Sequence, residues 1–244
     1  MCRMLWQLAR PLAHSLLRKL CGTPVMNSMI GIVNYGMGNL RSVQKALQRV
    51  GAQAEIIDTP EQIAAAERLI LPGVGAFADA MSLLRELGFV EPLLEYAESG
   101  RPMMGICLGM QLLFDSSTED APAEDEPVAG LGILPGKVVR FSEDQGPGEP
   151  RLKVPHMGWN EIAFPPGTTL FNGLASGDHV YFVHGYYCVP TDPSDIAATT
   201  DYGGVYCSAV HRGSVWATQF HPEKSQRVGL RILKNFANAE LVHA

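Results

Sequence analysis

The sequence predicts an α/β fold: a mostly parallel, open sheet flanked by helices, with a smaller antiparallel extension in the second half. Three observations carry this. Between residues 30 and 114, compact apolar runs alternate with segments of helical period, the pattern of buried parallel strands joined by crossover helices. From about residue 118 that pattern gives way to short β-like runs separated by turn residues. The composition, 46% hydrophobic and 18% charged over 244 residues, is sufficient for one substantial core.

The elements follow in order. Residues 29–33 form an apolar run suited to a strand buried on both faces, and 34–39 are turn chemistry. Leu40, Val43, Leu47 and Val50 recur at helical spacing, with Gly51 as the stop. Residues 54–57 and 68–71 read as the second and third strands. Met81, Leu84 and Leu87 mark one helix, and Val90, Leu93, Leu94 and Ala97 another. A short buried strand then reaches Cys107, and an apolar helix is expected from there through 110–114. Residues 118–127 are acidic and proline-bearing, a surface loop, as is 146–150. The β-like runs are 137–141, 158–164, 180–183, 196–200, 205–209 and 215–219, and Val228, Ile232 and Phe236 share the face of a closing helix. No proline- or glycine-rich linker separates two cores, so residues 29–244 read as one domain.

Residues 1–28 stand apart. They hold Arg3, Arg10, Arg18 and Lys19 with no acid, and Pro11 interrupts their apolar pattern. The segment is too short and broken to span a membrane. It reads as an N-terminal extension, disordered or arising from a mis-assigned start with Met26 or Met29 as initiator; its charge also suits an organelle transit peptide. With a net charge of −6, the chain offers no electrostatic footprint for nucleic acid. Its five cysteines are odd in number and scattered, without a CxxC pair. That suits free thiols in a reducing, cytoplasmic setting rather than a disulfide framework or a zinc site, and neither a metal nor a cofactor is expected.

The chemistry concentrates at Gly105-Ile106-Cys107-Leu108-Gly109. A strand, a tight turn and a helix with one cysteine at the apex make a nucleophile elbow with sulfur in place of a hydroxyl. Helix amides aimed at the sulfur favour thiolate. The alternative is a buried structural cysteine whose glycines serve only the turn. A thiol nucleophile needs a base, and His221 follows a β-like run in Gln219-Phe220-His221-Pro222-Glu223-Lys224-Ser225. Glu223 is placed to reach back to the ring and fix its tautomer, giving a Cys107–His221–Glu223 triad. Read in isolation, His-Pro-Glu is equally a helix start. An oxyanion would draw one donor from the Leu108 amide and another from the loop Pro72-Gly73-Val74-Gly75.

These motifs, in this order, resemble the class I, triad-type glutamine amidotransferases, and the resemblance covers residue 30 to the end. It implies a flavodoxin-like fold and attack of Cys107 on glutamine to give a glutamyl thioester and ammonia. It also implies an oxyanion site at Gly73, Val74 and Leu108, and a substrate site that includes Gly75 and Gln111. Pro155-His156-Met157-Gly158-Trp159-Asn160, Tyr181-Phe182-Val183-His184-Gly185-Tyr186 and Asn34-Tyr35-Gly36-Met37-Gly38-Asn39 are similar, more narrowly, to the glutaminase subunits of imidazole glycerol phosphate synthases. Such subunits form a heterodimer with a (β/α)8 cyclase in histidine biosynthesis. The resemblance puts Asn39, Trp159, Tyr181 and Lys224 at the partner face near the ammonia passage. The chain departs from the pattern in its leader and at Gly185, where relatives often carry a hydroxyl. Two other readings remain open here: the glutaminase of another class I amidotransferase, and a stand-alone cysteine hydrolase of the same fold.

Overall fold

The computed structural model describes residues 29–121, 126–148 and 150–239. The 1–28 extension and part of the acidic loop lie outside these. In the first half, β1 (Ile30–Val33), α1 (Leu40–Arg49), β2 (Ala54–Ile57), β3 (Arg68–Gly73), α2 (Phe77–Glu86), α3 (Val90–Glu98), β4 (Met103–Cys107) and α4 (Leu108–Leu112) succeed one another. Every residue of β1, β3 and β4 is buried, which is why they read as unbroken apolar runs. Period-two geometry still sorts their side chains. Leu69 and Leu71 join one core layer with Phe77 and Leu84 of α2, while Ile70 joins the other with Leu47 of α1.

The second half contributes β5 (Phe114–Ser117), β6 (Val128–Ala129), β7 (Leu134–Arg140), β8 (His156–Glu161), β9 (His179–His184), β10 (Tyr186–Pro190), β11 (Ile196–Asp201), β12 (Val205–Arg212), β13 (Val215–Thr218) and α5 (Gln226–Ala237). Among the described residues, eleven strands form one sheet. Its order is β2-β1-β3-β4-β13-β12-β10-β7-β5-β6, with β11 against β12. From β2 to β13 the neighbours are parallel. Beyond β13 they are antiparallel except for β5 with β7. β8 and β9 pair as a separate two-stranded ribbon. The α/β core with an antiparallel extension is therefore present as expected.

Two elements differ. The apolar helix expected through residue 114 stops at Leu112, and Phe114 opens β5. The carbonyls that a longer helix would use are taken by the returning chain: Leu131 N–H donates to Leu112, Leu134 N–H to Leu113 and Gly132 N–H to Phe114. β10 was not expected as a strand. Its face is mixed rather than alternating and it ends in proline, yet it pairs along its whole length with β7.

Candidate active site

The parallel strands β1, β3, β4 and β13 all end on one edge of the sheet, where open α/β folds place their ligands. Register sets the level: Gly73 of β3 pairs with Cys107 of β4, and Ile106 with Thr218 of β13. Three loops distant in sequence therefore leave the sheet together. At the centre, Cys107 has φ 55° and ψ −112°, a conformation that L residues rarely adopt. The flanking glycines are dictated by packing. A Cβ on Gly105 would lie 2.7 Å from the Gly109 carbonyl oxygen, and one on Gly109 would collide with the carbonyl of Leu71. The elbow expected from the sequence is present, although α4 is only five residues long. Its contribution at the sulfur is thus that of a few local amides and not of a long dipole.

β13 delivers the second component. His221 N–H donates to the Tyr181 carbonyl at 3.0 Å, and the Ser225 hydroxyl donates to the His221 carbonyl at 2.7 Å, so the loop is pinned on both sides. His221 Nδ1 lies 2.9 Å from Glu223 Oε1, with the two side chains 2% and 1% exposed. The acceptor-only carboxylate places the proton on Nδ1. The other ring nitrogen, Nε2, is buried and lacks a hydrogen bond of good geometry among the described residues. Cys107 is nevertheless close enough to act on the ring. Burial lowers the His221 pKa, but Cys107 and Glu223 together outweigh it and raise it to about 9. The three triad residues are thus brought together.

Of the residues expected at an oxyanion site, Leu108 opens α4, so its N–H has no intrahelical acceptor. Val74 is 41% exposed, and Gly75 has φ +97°, where a side chain would be strained. Gln111 is buried beside Cys107, and its Nε2 donates to the Tyr186 carbonyl and to Gln219 Oε1, both at 3.1 Å. Gln219 was missed by sequence reasoning. Fully buried, it directs Nε2 at Cys107 Sγ from 3.9 Å. The signal was a lone amide directly after a strand that is buried throughout. Tyr35 was also missed. Its hydroxyl is buried without a partner among the described residues and would lie 2.6 Å from a Cβ on Gly73. Burial first, and then charge on Cys107, raises its pKa.

Across the β8–β9 ribbon, Trp159 pairs with Tyr181, their rings 6.0 Å apart edge to face, and Lys224 Nζ sits 5.9 Å from the Tyr181 ring. Trp159 and Met157 are exposed. Asn39 precedes α1, its carbonyl accepting from the Ser42 and Val43 amides, and α1 packs on the turn that carries Lys224. At Gly185 an added Cβ would make an ordinary 3.6 Å contact with Val154, so the position has room for a Cβ.

The family model described as glutamine amidotransferase class-I matches residues 31–239. The imidazole glycerol phosphate synthase subunit HisH of Syntrophotalea carbinolica is 57% identical over 210 residues, covering 86% of this chain and 100% of that protein. The HisH subunit of Rhodopirellula baltica is 53% identical, covering 86% and 98%. Among solved structures, PurLQS from Thermotoga maritima superimposes with a TM-score of 0.65 at 20% identity, covering 87% of this chain and 99% of that one. A glutamine amidotransferase crystal structure does so at 0.63 and 23% identity, covering 86% and 99%; both likenesses speak to the fold. The chain belongs to the class-I glutamine amidotransferase family and, within it, to the family of imidazole glycerol phosphate synthase HisH subunits.

Proposed function

We propose that this chain is the glutaminase subunit of an imidazole glycerol phosphate synthase. It hydrolyses glutamine to glutamate and ammonia and delivers the ammonia to a (β/α)8 cyclase with which it forms a heterodimer in the cytoplasm. The observation that carries the reading is a cysteine at a strained elbow, beside a buried His–Glu pair and level with a glycine-bearing loop. Cys107 Sγ attacks the side-chain amide carbon of glutamine, and the tetrahedral oxyanion takes hydrogen bonds from the Leu108 amide and from the Gly73–Val74 peptide. His221, held by Glu223, takes the proton of the attacking Cys107 thiol and passes it to the departing nitrogen, so ammonia leaves and a thioester remains. His221 then takes a proton from water, which attacks the thioester and frees glutamate and the thiol. Gly75 and Gln111 hold the substrate. Asn39, Trp159, Tyr181 and Lys224 face the cyclase near the ammonia passage.

Free ammonia is lost to protonation by water, so hydrolysis is useful only when the partner is present and loaded. The test mixes the purified chain with a cognate cyclase and measures glutamate release with and without the cyclase's ribonucleotide ligand. Low turnover alone and strong stimulation by the loaded cyclase are expected. Vigorous unaided turnover would mark a stand-alone cysteine hydrolase instead.

A further inference from the structure

Asn160 and His156 of β8, Tyr206 of β12 and His184 at the end of β9 form a continuous chain of hydrogen-bond contacts that ends at the Tyr186 carbonyl. Its direction follows from its two ends. Asn160 Nδ2 donates to the Asp201 carbonyl at 2.9 Å and lies 3.3 Å from His156 Nε2. That nitrogen must accept, so the His156 proton is on Nδ1. At the other end His184 Nδ1 lies 2.8 Å from the Tyr186 carbonyl, which can only accept, so this ring too is protonated on Nδ1 and accepts through Nε2. Between them, His156 Nδ1 is 3.2 Å from the Tyr206 hydroxyl and 3.3 Å from His184 Nε2, and the hydroxyl is 3.2 Å from the same Nε2. An arrangement consistent with both ends runs from Asn160 to His156, His156 to Tyr206, Tyr206 to His184, and His184 to the Tyr186 carbonyl, with Thr200 as a further partner of the Tyr206 hydroxyl.

The chain is held rigid and uncharged. His156 is stacked between Tyr202, at 3.9 Å, and Phe182, at 4.7 Å, and Phe141 meets Tyr206 edge-on at 5.1 Å. Burial pushes His156 down to about 4 and His184 to about 3, so neither ring gains a second proton at ordinary pH. The Tyr186 carbonyl at the end also accepts from Gln111, whose two amide hydrogens are both committed, here and to Gln219. Gln111 therefore presents only its oxygen to a ligand, an acceptor suited to the amide or ammonium hydrogens of glutamine. Any shift of His184 moves the carbonyl that fixes this orientation.

We propose that His156, Tyr206 and His184 are positioning residues, a one-directional neutral relay that ties the β8–β9 ribbon to Gln111 and thereby sets the affinity of the site for glutamine. The proposal rests on the glutaminase reading above. Tyr206→Phe deletes one hydroxyl and keeps the ring packing. In the complex with the cyclase it raises the KM for glutamine about tenfold and leaves kcat within about twofold. In a Gln111→Ala background the same change adds less than about twofold, because the two residues act through one route. An unchanged KM, or a fully additive effect in that background, overturns the relay. Should Tyr206→Phe fail to fold, Asn160→Ala tests the far end, with an expected rise in KM of about threefold. Nitrogen-15 NMR of the full-length chain provides a readout that a packing role would not move: His156 and His184 each protonated on Nδ1, and His156 becoming a tautomer mixture in Asn160→Ala. An Nε2–H tautomer at either ring in the wild type overturns the relay. If the wild-type complex releases no glutamate, the glutaminase reading fails and the tautomers still decide the relay.

Discussion

His221 and His184 are imidazoles buried to 2% and 6% exposure: one interacts with Cys107 through its ring, and the other adjoins Val183, whose carbonyl lies 4.0 Å from Cys107 Sγ. Burial lowers the pKa of both, yet one ring stands at about 9 and the other at about 3. The difference lies in the neighbours. His221 has a carboxylate and an ionisable sulfur, whereas His184 has a carbonyl, a phenol and a second neutral imidazole. Burial makes protonation sensitive to partners, and the partners then decide its direction. On the proposed reading, the chain keeps a mobile proton where ammonia leaves and excludes one from the residues proposed to position Gln111.

The largest blow to this contrast is Cys107→Ala. Glutamate release in the cyclase complex should fall by about 10⁴-fold or more, while product formation from added ammonium persists. Because the sulfur is one of the groups raising it, the His221 pKa should also drop below about 9 in an NMR titration. Loss of the ammonium reaction as well would assign Cys107 a structural role. Glu223→Gln should cost about 10²- to 10⁴-fold in kcat by weakening the hold on the tautomer. It should lower the His221 pKa too, and an unchanged titration would show that the carboxylate does not set it.

The same contrast has a signature in stability. Between the ordinary histidine value of 6.5 and about 9, folded His221 holds a proton that the unfolded chain has lost, so its contribution is full below pH 6.5 and fades as pH rises to 9. His156 and His184 act oppositely. Below 6.5 the unfolded chain binds protons that the fold refuses down to about 4 and 3, so stability falls as the solution is acidified. Urea midpoints against pH should show both limbs, with Glu223→Gln flattening only the alkaline one. Parallel curves for the two proteins would contradict the assignment.

The smallest effects concern Tyr35, whose buried hydroxyl has no hydrogen-bond partner among the described residues. Tyr35→Phe removes the orphaned hydroxyl and should stabilise by about 1 kcal/mol in urea unfolding. Gly73→Ala should cost about 1–3 kcal/mol through contact with that hydroxyl and with the Leu108 Cβ, 2.9 Å away. Part of that loss should return in the Tyr35→Phe background.

The parallel half and the elbow were legible in the sequence because their signals are local. Strands buried on both faces read as apolar runs, and the Gly105 and Gly109 requirement is written within five residues of Cys107. His221 and Glu223 were legible because the orienting acid lies two positions from the ring it holds. Gln219, Tyr35 and the His156–Tyr206–His184 chain were not, because their meaning depends on contacts that span between 22 and 112 residues of sequence. The premature end of α4 escaped for the same reason: its carbonyls are claimed by residues 131–134, and nothing in 108–114 announces them. Trp159 is half exposed, an exposure that no local pattern around 159 announces.

The pairing of Gly73 with Cys107, and of Ile106 with Thr218, also bears on how this molecule can change over time. Side chains alternate between faces, so inserting or deleting one residue within β3, β4 or β13 would rotate a whole run of core residues to the wrong layer and carry its loop off the common level. Length variation is barred there. The exposed loop at 142–148 stands outside this register, and it is where a lineage can lengthen or trim this chain without turning those strands over.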